Sequence, residues 1–112
     1  MNSTGFVRVM MSKSMETEMY LTHVVETIRR QLEKWDERYE VKLHLDLLDE
    51  TSYEVIVNLE DITHRVHLDF PTVAILQDKS PYSLDRHIWK SLKKEGLMIE
   101  QIHGDYLDKC YM

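Results

Sequence analysis

Cysteine is almost missing from this chain: Cys110 is the single thiol in 112 residues, beside three glycines and two prolines. One thiol excludes an intrachain disulfide and any paired-Cys metal site, and it fits a reducing cytosol. So little Gly and Pro excludes collagen-like and Pro/Gly low-complexity chains, while 43% hydrophobic residues excludes disorder by composition. No run approaches the ~20 apolar residues that span a bilayer. Phe6-Val7-Arg8-Val9-Met10-Met11 is short and broken by Arg8, so no secretory leader is expected. A Gly-rich phosphate loop, a His-Glu helix motif and a 20–50-residue repeat are also missing. The expectation is one soluble, cytoplasmic domain over 1–112, without cofactor or bound metal. Residues 1–12 and 104–112 are expected as flexible ends, with Cys110 exposed in the second.

What is present begins with charge. Fourteen Lys and Arg face twenty Asp and Glu, a net charge of −6, which disfavours general binding to nucleic acid or anionic membrane. Residues 40–70 hold eight acids and two bases, as much net negative charge as the whole chain. They also hold His44, His64 and His67.

Residues 1–11 read as a short strand or a loose arm. From Met15 to Arg38, Leu21, Val24, Val25, Ile28, Leu32, Trp35 and Tyr39 recur at steps of three, four and one, the stripe of one long amphipathic helix. Ser14 is placed to cap it, with Glu16 and Glu18 in the first turn. The period then drops to two. Residues 41–47, 53–59 and 62–70 alternate apolar and polar, three strands of an antiparallel meander with one wet face. Pro71 is expected to end the third. Thr72–Leu76 would cross the end of the core or add a short strand. Ser80-Pro81 starts a second helix, with Leu84, Ile88, Trp89 and Leu92 inward, and Gly96 ends it. Leu97–Ile102 suggests a further strand. The fold class is therefore α+β: a three- to four-stranded antiparallel meander with two helices on one face, in the order α-β-β-β-α.

Register follows from the rule that opposed residues share a face. A Glu60-Asp61 turn sets Leu59 opposite Ile62, Val57 opposite His64, Val55 opposite Val66 and Tyr53 opposite Leu68. In the first hairpin, Leu47 is set opposite Tyr53, Leu45 opposite Val55 and Leu43 opposite Val57. The wet face then carries the rows Asp46-Glu54-His67, His44-Ile56-Arg65 and Lys42-Asn58-Thr63. Asp46, Glu54, His67 and His44 offer carboxylate oxygens and imidazole nitrogens to a divalent ion, or a base and its orienting acid. Against both stand the missing local ligand signature and the missing nucleophile, since Ser52 and Ser91 sit in no motif.

The order helix, three strands, helix over 15–95 resembles the double-stranded-RNA-binding domain in topology. That family holds phosphates with a basic cluster at the start of its last helix. Here that place reads Ser80-Pro81-Tyr82-Ser83-Leu84-Asp85, so RNA binding is not carried over. The leading expectation is a non-catalytic interaction or regulatory module. A small metal-dependent or acid/base enzyme on the His/carboxylate face is the alternative, with an RNA-binding module behind it. A 24-residue helix of about 36 Å also overhangs a strand of about 20 Å. Its overhanging end carries Met15, Met19 and Tyr20, the expected seam of a homodimer.

Overall fold

The computed structural model describes residues 5–45, 52–97 and 105–111. Its elements are α1 (Gly5–Ser14), α2 (Thr17–Trp35), β1 (Glu40–Leu45), β2 (Ser52–Leu59), β3 (Ile62–Asp69), α3 (Phe70–Lys79), α4 (Ser83–Lys94) and α5 (Asp105–Tyr111). The strands form one antiparallel sheet in the order β1-β2-β3. The class is α+β, but among the described residues five helices stand where two are expected.

The long helix expected from Met15 to Arg38 is α2 alone, shorter at both ends, and a separate helix precedes it. α1 replaces the expected strand or arm, and Ser14 ends α1 instead of capping α2. Serines at 12 and 14 compete with helical bonding, which weakens the chain at this point. Gln77 then fixes the break: its Nε2 donates to the carbonyls of Ser12 at 3.0 Å and Met15 at 2.8 Å, oxygens that an interrupted helix leaves over. α2 keeps the expected stripe, with Tyr20, Leu21, Val24, Val25, Ile28 and Leu32 buried.

Strand alternation sorts the sheet into two faces. Tyr53, Val55, Val57, Val66 and Leu68 are buried, and Val41 and Leu43 pack against the same cluster. The β2–β3 register is as the sequence predicts, from Leu59 opposite Ile62 to Tyr53 opposite Leu68. Glu60 in the connecting turn takes φ 55°, left-handed backbone that Gly or Asn would adopt at lower cost. The β1–β2 register differs from expectation by two residues: Leu45, not Leu47, opposes Tyr53, and Leu43 opposes Val55. A two-residue slip preserves both faces, so alternation alone does not exclude it.

After β3 the chain turns helical. Asp69 Oδ1 accepts from Thr72 N at 2.8 Å and Pro71 stands in the first turn, so α3 begins where a strand end is expected. Pro71 opens a helix here because its fixed φ suits the first turn and its missing N–H costs nothing there. Ser80 closes α3, and α4 starts at Ser83, its serine hydroxyl paired with that of Ser80. Leu84, Ile88, Trp89 and Leu92 are fully buried, as their spacing predicts. Gly96 ends the α4 segment at φ 106°, with Leu97 N bonded to Leu92 O and Gly96 N to Lys93 O, a Schellman closure.

The expected strand at Leu97–Ile102 lies outside the described residues beyond Leu97. α5, in the segment read as a tail, seats Leu107 and Cys110 in the core, so the expected exposure of Cys110 is corrected. One apolar cluster joins α2, the sheet, α3, α4 and α5. At its centre Trp89 meets the half-buried Trp35 edge-on, ring centroids 5.8 Å apart. Among the described residues no helix is long and apolar enough to cross a membrane.

Candidate functional site: an open sheet face and a buried arginine

The polar face of the sheet is built by the even residues of β1 and β2 and the odd residues of β3. The shifted register gives it the rows His44-Glu54-His67, Lys42-Ile56-Arg65 and Glu40-Asn58-Thr63. Glu54 is the hub. Its Oε1 accepts from Arg65 Nη1 and its Oε2 lies against His67 Nε2, both at 3.0 Å. Thr63 Oγ1 donates to Asn58 Oδ1 at 3.0 Å, and Asn58 Nδ2 to Glu40 Oε1 at 3.4 Å. Ile56 sits half-buried between Lys42 and Arg65.

Two half-open depressions lie on this face among the described residues. One of about 230 Å³ is lined by Glu40, Lys42, Ile56, Asn58, Thr63 and Arg65. The other, about 240 Å³, is lined by His44, Ser52, Tyr53, Glu54 and His67.

Of the residues the sequence singles out here, Glu54, His67 and His44 share one row. Ile56 and Arg65 share the next, where Lys42 replaces the expected His44. Asp46 lies outside the described residues. No group of three His, Cys, Asp or Glu side chains is arranged to hold a metal among the described residues. The chemistry agrees, since both Glu54 oxygens already face cationic or imidazole nitrogens. Ser52 lines the same depression as His67 and Glu54, but His67 is 79% exposed, so a proton held there is open to bulk water.

At the expected dimer seam, Met19 is 57% exposed, Met15 is half-buried against the core, and Tyr20 is fully buried.

Tyr20 belongs to a second polar assembly, which the sequence reading missed. Arg8 is 2% exposed and Asp85 0%. Asp85 takes the guanidinium with both oxygens, Oδ1 from Nη1 at 2.5 Å and Oδ2 from Nη2 at 3.1 Å. Nη1 also reaches the Pro81 carbonyl at 3.2 Å and the Tyr20 hydroxyl at 3.5 Å. The Tyr82 ring lies 4.6 Å from the guanidinium carbon and the Tyr20 ring 5.7 Å, a cation–π pair of walls. Tyr106 donates to Asp85 Oδ2 at 2.5 Å and accepts from Trp89 Nε1 at 3.1 Å. Arg8 Nε, also buried, has no partner among the described residues.

The energetics of this assembly follow from burial. Burial pushes the Asp85 carboxyl above its ordinary range, against the pull of the Arg8 charge and its hydrogen bonds. Burial opposes the charge on Arg8 too, but Asp85 outweighs it and the guanidinium is held more firmly protonated. Burial also pushes the Tyr106 phenol up, and the Cys110 thiol to about 12, with the Asp85 charge adding to both. A thiol so raised is a poor nucleophile. The arrangement binds a guanidinium and ties α1, α4 and α5 to one carboxylate, with α2 joined through Arg8.

No protein-family model, no curated protein and no solved structure matches this chain.

Proposed function

We propose that this chain is one soluble, cytoplasmic, non-catalytic interaction module, that it acts as a homodimer, and that the uncovered polar face of its sheet receives a further protein. The observation that carries the reading is the Ile56 centre: a half-buried aliphatic side chain ringed by Lys42, Arg65, Glu40 and Asn58. An apolar centre with a polar rim of both signs suits a protein surface better than a phosphate backbone, which favours one sign. Both depressions, at about 230 and 240 Å³, are smaller than the roughly 300–1,000 Å³ of ligand pockets, which supports docking over catalysis. For the dimer, the support is exposed Met19 beside half-buried Met15 on the helical side. Tyr20 serves the fold and leaves that seam to the methionines.

Two experiments test this. Affinity capture with mass spectrometry, run in parallel on wild type, Ile56→Asp and Lys90→Glu, is expected to lose its partner with Ile56→Asp alone; equal recovery in all three overturns the docking face. Sedimentation at micromolar concentration is expected to give twice 13.4 kDa, with Met19→Glu monomeric and Lys90→Glu dimeric. A wild-type mass near 13.4 kDa overturns the dimer.

A further inference from the structure

The cage around Arg8 has the parts of an arginine receptor. A guanidinium is planar and offers its donors in a fork; it is recognised by a two-oxygen carboxylate, a carbonyl at its edge and aromatic rings on its faces. Asp85, the Pro81 carbonyl, Tyr82 and Tyr20 supply these elements. The cage is also built without help from α1. Tyr106, itself bonded to Trp89, fixes Asp85 Oδ2, and the Tyr20 hydroxyl donates to Pro81 O at 2.7 Å. Its walls therefore come from α2, the α3–α4 connection, α4 and α5.

The present occupant arrives on a separable piece. α1 is divided from α2 at Met15 and Glu16 and packs on α3, where Gln77 holds its last carbonyls. Arg8 fills the cage incompletely, because its Nε is buried without a partner among the described residues. A buried donor left unpaired penalises this occupant relative to one whose approach pairs it.

We propose that the Tyr20–Tyr82–Asp85 cage is an arginine-binding site that α1 occupies in cis, and that an arginine side chain from another chain takes it when α1 lifts away. The incoming guanidinium makes the two Asp85 bonds that Arg8 makes. The exchange frees α1 from the cage. The source is either Arg8 of a second copy or an arginine-bearing peptide of another protein, and the chemistry is the same for both.

The test empties the cage. Arg8→Ala is titrated with methylguanidinium and with an acetylated, amidated arginine tripeptide, followed by the Trp89 indole resonance. Saturable binding is expected, with methylammonium and a lysine tripeptide inert. Tyr82→Leu in the Arg8→Ala background is expected to weaken it about fivefold, and Asp85→Asn about thirtyfold or more. If Arg8→Ala does not fold alone, millimolar methylguanidinium is expected to restore its native spectrum.

In wild type, saturating arginine tripeptide is expected to speed amide exchange across 5–14 and leave 83–94 unchanged. Absence of both saturable binding and rescue overturns the proposal, as does equal binding of the lysine peptide. Mixing Arg8→Ala with Asp85→Asn separates the sources: a mixed dimer assigns the guanidinium to a second copy, and tripeptide binding without a mixed dimer assigns it to another protein.

Discussion

Glu54 takes the exposed Arg65 and His67 at the protein surface, whereas Asp85, fully buried, takes the buried Arg8 and the half-buried Tyr106. The residue types are nearly the same and the surroundings are opposite. On the sheet, solvent screens each pair and repays the loss of a partner, so the contacts arrange side chains without holding the fold. In the core no solvent is at hand, so each group depends on the others. A buried carboxylate without its cation carries a large uncompensated cost. The open face can change its chemistry and remain a sheet. The cage cannot stand empty at no cost, because Asp85 is then buried without a cation until another guanidinium takes the place.

The sharpest way to break the comparison is to remove one charge from each side. Asp85→Ala strands Arg8 and is expected to cost about 3–5 kcal/mol, read from urea unfolding. Replacing both partners, Arg8→Met with Asp85→Leu, is expected to return most of that loss, because the buried charges leave together.

Alkali offers a second probe. The Cys110 pKa is raised from its ordinary 9.0 to about 12, and burial raises Tyr106 and Tyr20 as well. The unfolded chain therefore loses these protons first and binds fewer than the folded chain, so stability falls as pH rises. Urea midpoints are expected to decline as pH climbs from 9.0 towards about 12. Cys110→Ala should flatten part of the decline. The same burial predicts slow labelling of native Cys110 by a thiol reagent and fast labelling in urea.

Smaller effects sharpen the picture. Tyr106→Phe takes a donor from Asp85 and an acceptor from Trp89, an expected loss of about 1–3 kcal/mol. Gly96→Ala is expected to cost about 1–2 kcal/mol from φ 106° alone. Space is not the obstacle there, since the nearest side-chain atom to the new Cβ is His64 Cε1 at 3.8 Å. Smallest is the open face: a double-mutant cycle on Glu54 and Arg65 is expected to give a coupling of about 0.2–1 kcal/mol, shrinking with salt. A coupling above that of the Asp85 cage would invert the comparison.

Much of the sheet was legible because period-2 alternation and a tight turn fix register together. Glu60-Asp61 fixed the second hairpin residue by residue. The first lacked so tight a connection, and Leu45 and Leu47 satisfy the same face equally well. α3 is hidden in the sequence because the apolar run Thr72–Leu76 suits a short strand or a crossing of the core's end equally well. Asp69, two residues before Pro71 and three before Thr72, already spelled a capped helix start.

The cage had a signal too. Asp85 stands at helical spacing within its own apolar stripe, three before Ile88 and four before Trp89, and Tyr20 stands four before Val24. An acid on an inward face requires a cation, and Arg8, set among Phe6, Val7, Val9 and Met10, was the base least suited to a wet surface. What sequence could not supply was their meeting, because only packing brings the two ends of the chain together.

That meeting also sets a clock. Tyr106 is made 98 residues after Arg8. At roughly 5–20 residues per second, Arg8 waits roughly 5–20 s for Tyr106. During that interval a newly made α1 has no finished cage to enter, and its arginine and methionines are open to whatever meets the nascent chain. Closing of the cage would therefore report that synthesis has passed α5, so the ion pair that stabilises the mature fold also times its assembly.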